Sequence, residues 1–162
     1  MEGLRNSNFK KLNLLTLNLM KQVKYFVLLI GLTVFSTITF AQKKLHLYGG
    51  EKRDVYLGCM NCSEIDSKSI WNDIGKYGSD ISSTSIWNDI STYGSDISNY
   101  SPWNDLASNP PAILDEDGGF YGYFTTNTIK SNRTEIKLFV YILDNYKAIK
   151  KDLPEFKKKL PF

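Results

Sequence analysis

Two cysteines three positions apart are the residues of this 162-residue chain whose type and spacing come closest to chemistry. Cys59 and Cys62 form a Cys-x-x-Cys motif, and His46 is the single histidine. In an exported chain such a pair predicts a structural disulfide. Two alternatives remain open: a metal site completed by His46 or a carboxylate, and a redox-active pair. Covalent haem attachment is disfavoured, because it requires a histidine directly after Cys62 and that position is serine.

Carboxylates recur at regular intervals after the cysteines. They are Glu64, Asp73, Asp80, Asp89, Asp96 and Asp105. Calcium accepts several carboxylate and carbonyl oxygens, so a row of these acids makes Ca²⁺ the one possible cofactor. The dense Asp/Asn/Gly alternation of an EF-hand loop is missing, however, and first-turn helix acids or solvated side chains are the favoured interpretation. We therefore assign no metal ligands from the sequence.

The sequence offers little further support for catalysis. It contains no nucleophile-elbow motif, no phosphate-binding glycine loop and no His/Cys/Asp constellation. The prediction is a non-enzymatic binding or scaffolding module for an unknown protein or glycan partner. The alternative is a small metal- or thiol-dependent enzyme that uses Cys59, Cys62 and His46.

The acids and most aromatic residues belong to a sixteen-residue repeat, which must position them. Trp71, Trp87 and Trp103 each begin the phrase Trp-Asn-Asp followed by isoleucine or leucine. A serine stands two positions before each tryptophan, and the third copy has Pro102 in between, which is the order of a helix N-cap and first helical residue. We expect short helices of about two turns joined by Ser/Gly connectors. A β-solenoid is the alternative, although Pro102 disfavours a strand.

Helices this short need tertiary packing, and the tryptophans and isoleucines of the repeat are the candidates for it. Ile70, Ile74 and Ile81, with Tyr77 among them, are spaced like one face of a helix. Aliphatic residues also recur at alternating intervals of nine and seven: Ile65, Ile74, Ile81, Ile90, Ile97 and Leu106. If the tryptophans form the core, the side chains beside them are the contact groups for a partner. The predicted binding residues are Tyr77, Tyr93, Tyr100, Asp80 and Asp96.

Segments on both sides of the repeat region, residues 59–109, have the patterns of β-hairpins. Residues 44–48 and 54–57 can pair across a glycine-containing turn, and a second hairpin over 112–125 has Asp117-Gly118 at its turn. A helical stripe follows over 134–153, with Thr134 as a cap and Pro154 as a stop. The expected fold is a small α+β domain, with short β-hairpins flanking the repeat and a C-terminal amphipathic helix.

The front of the chain is typical of a bacterial secretory signal peptide. Basic Lys21 and Lys24 precede an apolar stretch, and Thr39 and Ala41 occupy the small-residue positions before a cleavage site. We expect a signal peptide over 20–41, a non-native extension over 1–19 with translation starting at Met20, and one mature domain over 42–162. The apolar stretch is shorter than the roughly 20 residues of a membrane span, so no stable membrane insertion is expected after cleavage. The mature protein is predicted to be secreted or periplasmic.

The charge balance changes once this leader is removed. The whole chain carries 20 basic and 17 acidic residues, a net charge of +3. Residues 1–41 hold five of the basic residues and one of the acids, so 15 and 16 remain, a net charge of −1. An exported chain with this balance predicts no nucleic-acid partner. Bases concentrate after residue 130, where they can complement the acidic repeat.

Several phrases of the mature chain together resemble a family of small, often exported, bacterial repeat modules. They are Tyr56-Leu57-Gly58-Cys59-Met60-Asn61-Cys62, the Ser-Ile-Trp-Asn and Tyr-Gly-Ser units, Ser101-Pro102-Trp103-Asn104, and Phe120-Tyr121-Gly122-Tyr123-Phe124. The similarity covers roughly residues 45–127. It implies a recurrent module and supplies neither an activity nor catalytic residues.

Overall fold

The computed structural model describes residues 14–26 and 42–162 of the chain. The chain divides into two units, Met1–Gln42 and Lys43–Phe162. In the first unit, residues 14–26 form a helix, α1, whose apolar side chains are exposed. The predicted cleavage site after Ala41 lies outside the described residues. Over the two described ranges, no helix is both long enough and apolar enough to cross a membrane.

Four antiparallel strands of the second unit form one sheet. They are β1 (Leu45–Gly49), β2 (Val55–Cys59), β3 (Ala112–Asp115) and β4 (Phe120–Tyr123), in the spatial order β2-β1-β3-β4. Both predicted hairpins are confirmed, as the pairs β1–β2 and β3–β4. The sequence did not indicate that β1 also pairs with β3, where Leu47 lies opposite Ile113 and both are fully buried. Two hairpins that flank the repeat in sequence are therefore neighbours in one sheet.

The turn between β3 and β4 is organised by Asp115, whose side chain is only 2% exposed. Its carboxylate accepts hydrogen bonds from the N–H groups of Asp117 and Gly119, at 3.0 and 2.7 Å, and from the Tyr121 hydroxyl at 3.0 Å. The Lys43 ammonium lies 3.0 Å away. The hydrogen bond from Lys43, followed by that from Gly119, lowers the pKa of Asp115 to about 2. This acid therefore holds the hairpin together as a carboxylate.

Residues 60–111, between β2 and β3, contain neither an α-helix nor a strand. The backbone instead makes consecutive turns, in which the N–H of Ser69 bonds to the carbonyl of Asp66 at 3.0 Å and that of Gly75 to Asn72 at 2.9 Å. In most of these turns the first side chain also accepts a hydrogen bond from the N–H two residues on. Ser69 Oγ accepts from Trp71 at 3.1 Å, and Asn72 Oδ1 accepts from the following isoleucine at 3.3 Å.

The predicted short helices of the repeat are therefore wrong, and so are the strands of the solenoid alternative. The order Ser101-Pro102-Trp103 suits a helix start, but it equally suits a β-turn, where proline is favoured at the second position. Ser101 Oγ accepts its bond from the N–H of Trp103 at 3.1 Å. Because a serine or asparagine returns at nearly every third or fourth position, local side-chain hydrogen bonds compete with the helical backbone pattern and replace it.

Each sixteen-residue copy makes one coil, and the coils are stacked. The ring centroids of Trp71 and Trp87, and those of Trp87 and Trp103, are 5.3 Å apart. The indole N–H of Trp87 donates to the carbonyl of Ile70 at 2.6 Å, and that of Trp103 donates to the carbonyl of Ile86. The three tryptophans are 1–4% exposed. They are core residues, as the sequence predicted.

Close packing within the coils requires glycine at two equivalent positions. A Cβ added to Gly78 would lie 2.3 Å from the carbonyl oxygen of Asn72, and one added to Gly94 would lie 2.1 Å from that of Asn88. A side chain there would collide with backbone, which cannot rotate away as a flexible side chain can. The Tyr-Gly-Ser phrase is thus fixed by a close approach of two chain segments.

The sheet runs alongside the stack and contacts successive coils through β2, β1 and the residue that follows β4. A Cβ added to Gly58 of β2 would lie 2.7 Å from Ile70 in the first copy. One added to Gly49 of β1 would lie 2.6 Å from the Tyr93 ring in the second copy. The phenylalanine directly after β4 packs edge to face on the third tryptophan, at 5.6 Å between centroids. Packing between the sheet and the coils therefore builds one continuous core.

The C-terminal segment forms three short helices where the sequence predicted one over 134–153. They are α2 (Lys137–Asp144), α3 (Tyr146–Lys151) and α4 (Leu153–Lys157), with breaks at Asn145 and Asp152. Pro154 does not end a helix but lies in the first turn of α4. Helical residues in this region are confirmed, as is the mixed α+β class, whereas the single uninterrupted helix is wrong.

These helices cover the tryptophans of the stack. The Tyr146 ring of α3 lies parallel to Trp103 at 5.1 Å between centroids, and the Phe156 ring of α4 lies 5.9 Å from Trp71. Leu143 of α2 is buried in the same core. The breaks between the helices thus let one short basic segment follow the full length of the stack.

Candidate functional site

The two cysteines form a disulfide, as predicted, with their Cα atoms 5.5 Å apart. Cys59 is fully buried and Cys62 is 5% exposed. The backbone of Cys59 also donates to the carbonyl of Lys68 at 2.7 Å and accepts from Ile70 at 3.0 Å. The disulfide therefore joins the end of β2 to the first coil, in surroundings typical of a structural cystine.

His46 lies opposite Cys59 in the strand pairing and is 7% exposed. Both ring nitrogens have neighbours, since Nδ1 lies 2.9 Å from the Tyr56 hydroxyl and Nε2 lies 3.8 Å from a Glu116 carboxylate oxygen. Burial lowers the pKa of His46, and the charge of Glu116 opposes that shift. The enzyme alternative joined His46 to the cysteines, yet the polar contacts of this ring are with Tyr56 and Glu116.

The three tyrosines predicted to bind a partner do not form one row. Tyr77 and Tyr93 hold equivalent repeat positions and are half-buried against the sheet, with the Tyr77 ring 4.9 Å from that of Tyr56. Tyr100 stands at a different repeat position and is also half-buried. Burial raises the pKa of Tyr93. Their role in binding remains a prediction, and most of each ring is used for packing.

The acidic residues beside the tryptophans fall into two rows, and the ion pairs with the C-terminal helices are mostly to one of them. Lys157 of α4 lies 3.1 Å from Asp73, and Lys150 of α3 pairs with Asp89. Both lysine side chains are largely buried. The basic segment therefore complements the acidic repeat, as the charge pattern indicated.

The predicted aspartates Asp80 and Asp96 belong to the other row. They line shallow clefts between the stack and α3, together with Lys147 and Lys151. Neither carboxylate forms an ion pair in the part of the chain that the structure describes. Over the same residues, no three His, Cys, Asp or Glu side chains converge as metal ligands, so the arrangement offers Ca²⁺ no ready-made site.

Six of the seven most exposed large apolar side chains of residues 43–162 follow directly after these acids. We call them the aliphatic columns, because each consists of three residues sixteen positions apart. The first column is Ile65, Ile81 and Ile97, and the second is Ile74, Ile90 and Leu106. Their exposure ranges from 77% for Leu106 to 94% for Ile74, whereas Ile70 and Ile86 of the same repeat are fully buried.

The exposure of the columns overturns the expectation that the repeat isoleucines pack inward together. Five of the six column residues donate their N–H to the side chain of the serine or asparagine two positions earlier, which begins the turn. Ile90 donates to Asn88 Oδ1 at 3.1 Å, and Ile81 donates to Ser79 Oγ at 3.4 Å. These bonds fix the corner that carries the aliphatic side chain away from the stack. The signal in the sequence was the serine or asparagine two positions before every column residue, which favours a turn at that point.

The magnitude of this exposure distinguishes the columns from ordinary surface residues. Burying one such side chain is worth about 1.5–3 kcal/mol. Six are left in water, although single exposed apolar residues would be unremarkable in any protein. Successive coils are 5.3 Å apart at the tryptophans, so each column repeats at about that interval. The result is a regular array of aliphatic groups and carboxylates on a stiff support.

Comparison of the chain with protein-family models, with curated proteins and with solved structures found no match.

Proposed function

We propose that the protein is an exported, non-enzymatic binding module that contacts a partner through the aliphatic columns and the carboxylates beside them. The observation that carries the proposal is the exposure of six large aliphatic side chains at equivalent repeat positions. Exposed apolar groups that recur together mark interaction surfaces more often than isolated ones do. The tyrosines of the earlier prediction become supports of this surface, and Asp80 and Asp96 remain contact groups.

The rigidity of the support favours binding. The stacked tryptophans, the disulfide and the C-terminal helices hold the coils without using any column residue. A surface that is already ordered loses little conformational entropy when a partner docks on it. The array can therefore act as a preformed recognition face.

Export is part of the proposal. The disulfide suits a compartment that does not reduce cystines, such as the periplasm or the outside of the cell. The leader predicted over residues 20–41 would deliver the chain there. The resemblance to exported repeat modules agrees with this location but brings no activity with it.

The test compares three forms of the full chain, immobilised and exposed to proteins and polysaccharides from the envelope of the producing cell. The wild type should retain a defined partner, and the double variant Ile81→Ser/Ile97→Ser should lose it. Ile129→Ser is the matched control, because Ile129 is 88% exposed but lies outside the columns. Equal retention by all three forms, with unchanged folding, would remove the columns as the binding surface.

A further inference from the structure

Every member of the aliphatic columns is preceded by a carboxylate. Glu64, Asp80 and Asp96 stand before the first column, and Asp73, Asp89 and Asp105 stand before the second. A ligand that covers the columns must therefore meet negative charge beside each apolar contact. Like charges opposed across an interface are unfavourable, so the chemistry of the surface selects its partner.

The chain already contains a basic segment that pairs with three of these acids, one of which is Glu64, 3.9 Å from Lys157. Lys150 and Lys157, from α3 and α4, pair with Asp89 and Asp73, while aromatic side chains of the same helices pack on the tryptophans. The α3 sequence, Tyr-Lys-Ala-Ile-Lys-Lys, alternates apolar and basic groups within a short stretch. A cationic amphipathic segment is thus what this repeat holds on its covered side.

The remaining acids face lysines of α3 across shallow clefts but pair with none of them within the described residues. Asp80, Asp96 and Asp105 form no ion pair there, and each is followed by a column residue that is at least 77% exposed. Resting on the proposed function above, we infer that the aliphatic columns bind a cationic amphipathic segment of a partner protein. Its apolar side chains cover the columns, and its lysine or arginine side chains pair with these three carboxylates.

Charge complementarity favours this occupant over two others. A second copy of the chain would bring the same acids to the interface and place carboxylate against carboxylate. An anionic lipid surface would meet the same repulsion. A basic segment instead gains favourable charge contacts at every repeat, and electrostatic attraction speeds its association at low salt.

The probe is a fluorescent peptide of about 14 leucine and lysine residues in an amphipathic order, titrated into the full chain. Two comparison peptides replace lysine by glutamate or leucine by serine. The Leu/Lys peptide should bind, and Ile81→Ser/Ile97→Ser should weaken it at least about tenfold. Asp80→Asn/Asp96→Asn should weaken it about two- to fivefold and reduce its dependence on salt. Ile129→Ser should leave it unchanged.

Several results would overturn the inference. If the Leu/Glu peptide binds as tightly as the Leu/Lys peptide, charge plays no part. If the Ser/Lys peptide binds as tightly as the Leu/Lys peptide, the columns play no part. Dimerisation or binding to neutral phosphatidylcholine vesicles, abolished by Ile81→Ser/Ile97→Ser, would assign the columns to a different occupant and leave the proposed function standing. If the column variants change no interaction at all, both proposals fail together.

Discussion

The same substitution at two isoleucines four positions apart in the first copy should change the free energy of unfolding by very different amounts. Ile70 is fully buried and faces Gly58 of β2, whereas Ile74 is 94% exposed. Ile70→Ala removes buried carbon atoms and leaves a cavity against the sheet, so it should lower the free energy of unfolding by about 2–5 kcal/mol. Ile74→Ala should change it by no more than about 0.5 kcal/mol. A helical repeat would place both residues on one face and predict similar losses.

Urea unfolding followed by tryptophan fluorescence measures this contrast, because the buried stack becomes exposed when the coils open. With a slope of about 1–3 kcal/mol/M, Ile70→Ala should lower the midpoint by roughly 1 M or more, at an unchanged slope. The second copy supplies a replicate in Ile86→Ala and Ile90→Ala, since these residues are 0% and 93% exposed. Comparable losses at the two members of either pair would refute the arrangement of turns described above.

Three further predictions concern the support of the surface. Replacing both Cys59 and Cys62 by alanine should lower the free energy of unfolding by about 2 kcal/mol, the loop-closure value for so short a loop; no change in urea midpoint would contradict this. Gly94→Ala should cost about 1–3 kcal/mol or more, because its Cβ would strike the Asn88 carbonyl, and a wild-type melting temperature would refute the close approach. The lowered pKa of Asp115 contributes stability that is fully present above its usual pKa of 3.8 and is lost as pH falls towards 2. The difference in urea midpoint between wild type and Asp115→Asn should shrink over that range, and a constant difference would contradict it.

The hairpins were predictable because their signals are local. Asp117-Gly118 between two apolar runs marks the β3–β4 turn, and Gly49-Gly50 precedes the β1–β2 turn, so each strand pair follows from neighbouring residues. The pairing of β1 with β3 joins residues on opposite sides of the repeat. Nothing in either hairpin specifies that long-range contact, which depends on how the coils bring the two ends together.

The helical prediction for the repeat is wrong because one residue pattern suits two local structures. Serine before proline and tryptophan satisfies a helix N-cap and also the first position of a turn. The deciding information lay in the recurrence of serine and asparagine within each copy, as at Ser69, Asn72 and Ser82, since a helix has only one N-cap. The exposure of the aliphatic columns was not predicted for the same reason, because helical spacing would place Ile74 on the same face as buried Ile70.

The pairing of strands with coils limits how this architecture can change in length. Neighbouring strands in a sheet are about 4.8 Å apart, and the tryptophans of neighbouring coils are 5.3 Å apart, so the two layers are nearly commensurate. Open repeat stacks can gain or lose copies at little cost. Here the sheet contacts the first and second copies through Gly58 and Gly49, and Phe124 packs on Trp103 of the third, so a coil added by a sixteen-residue insertion would have no equivalent contact. A lengthened version would therefore need a further packing partner for every additional coil.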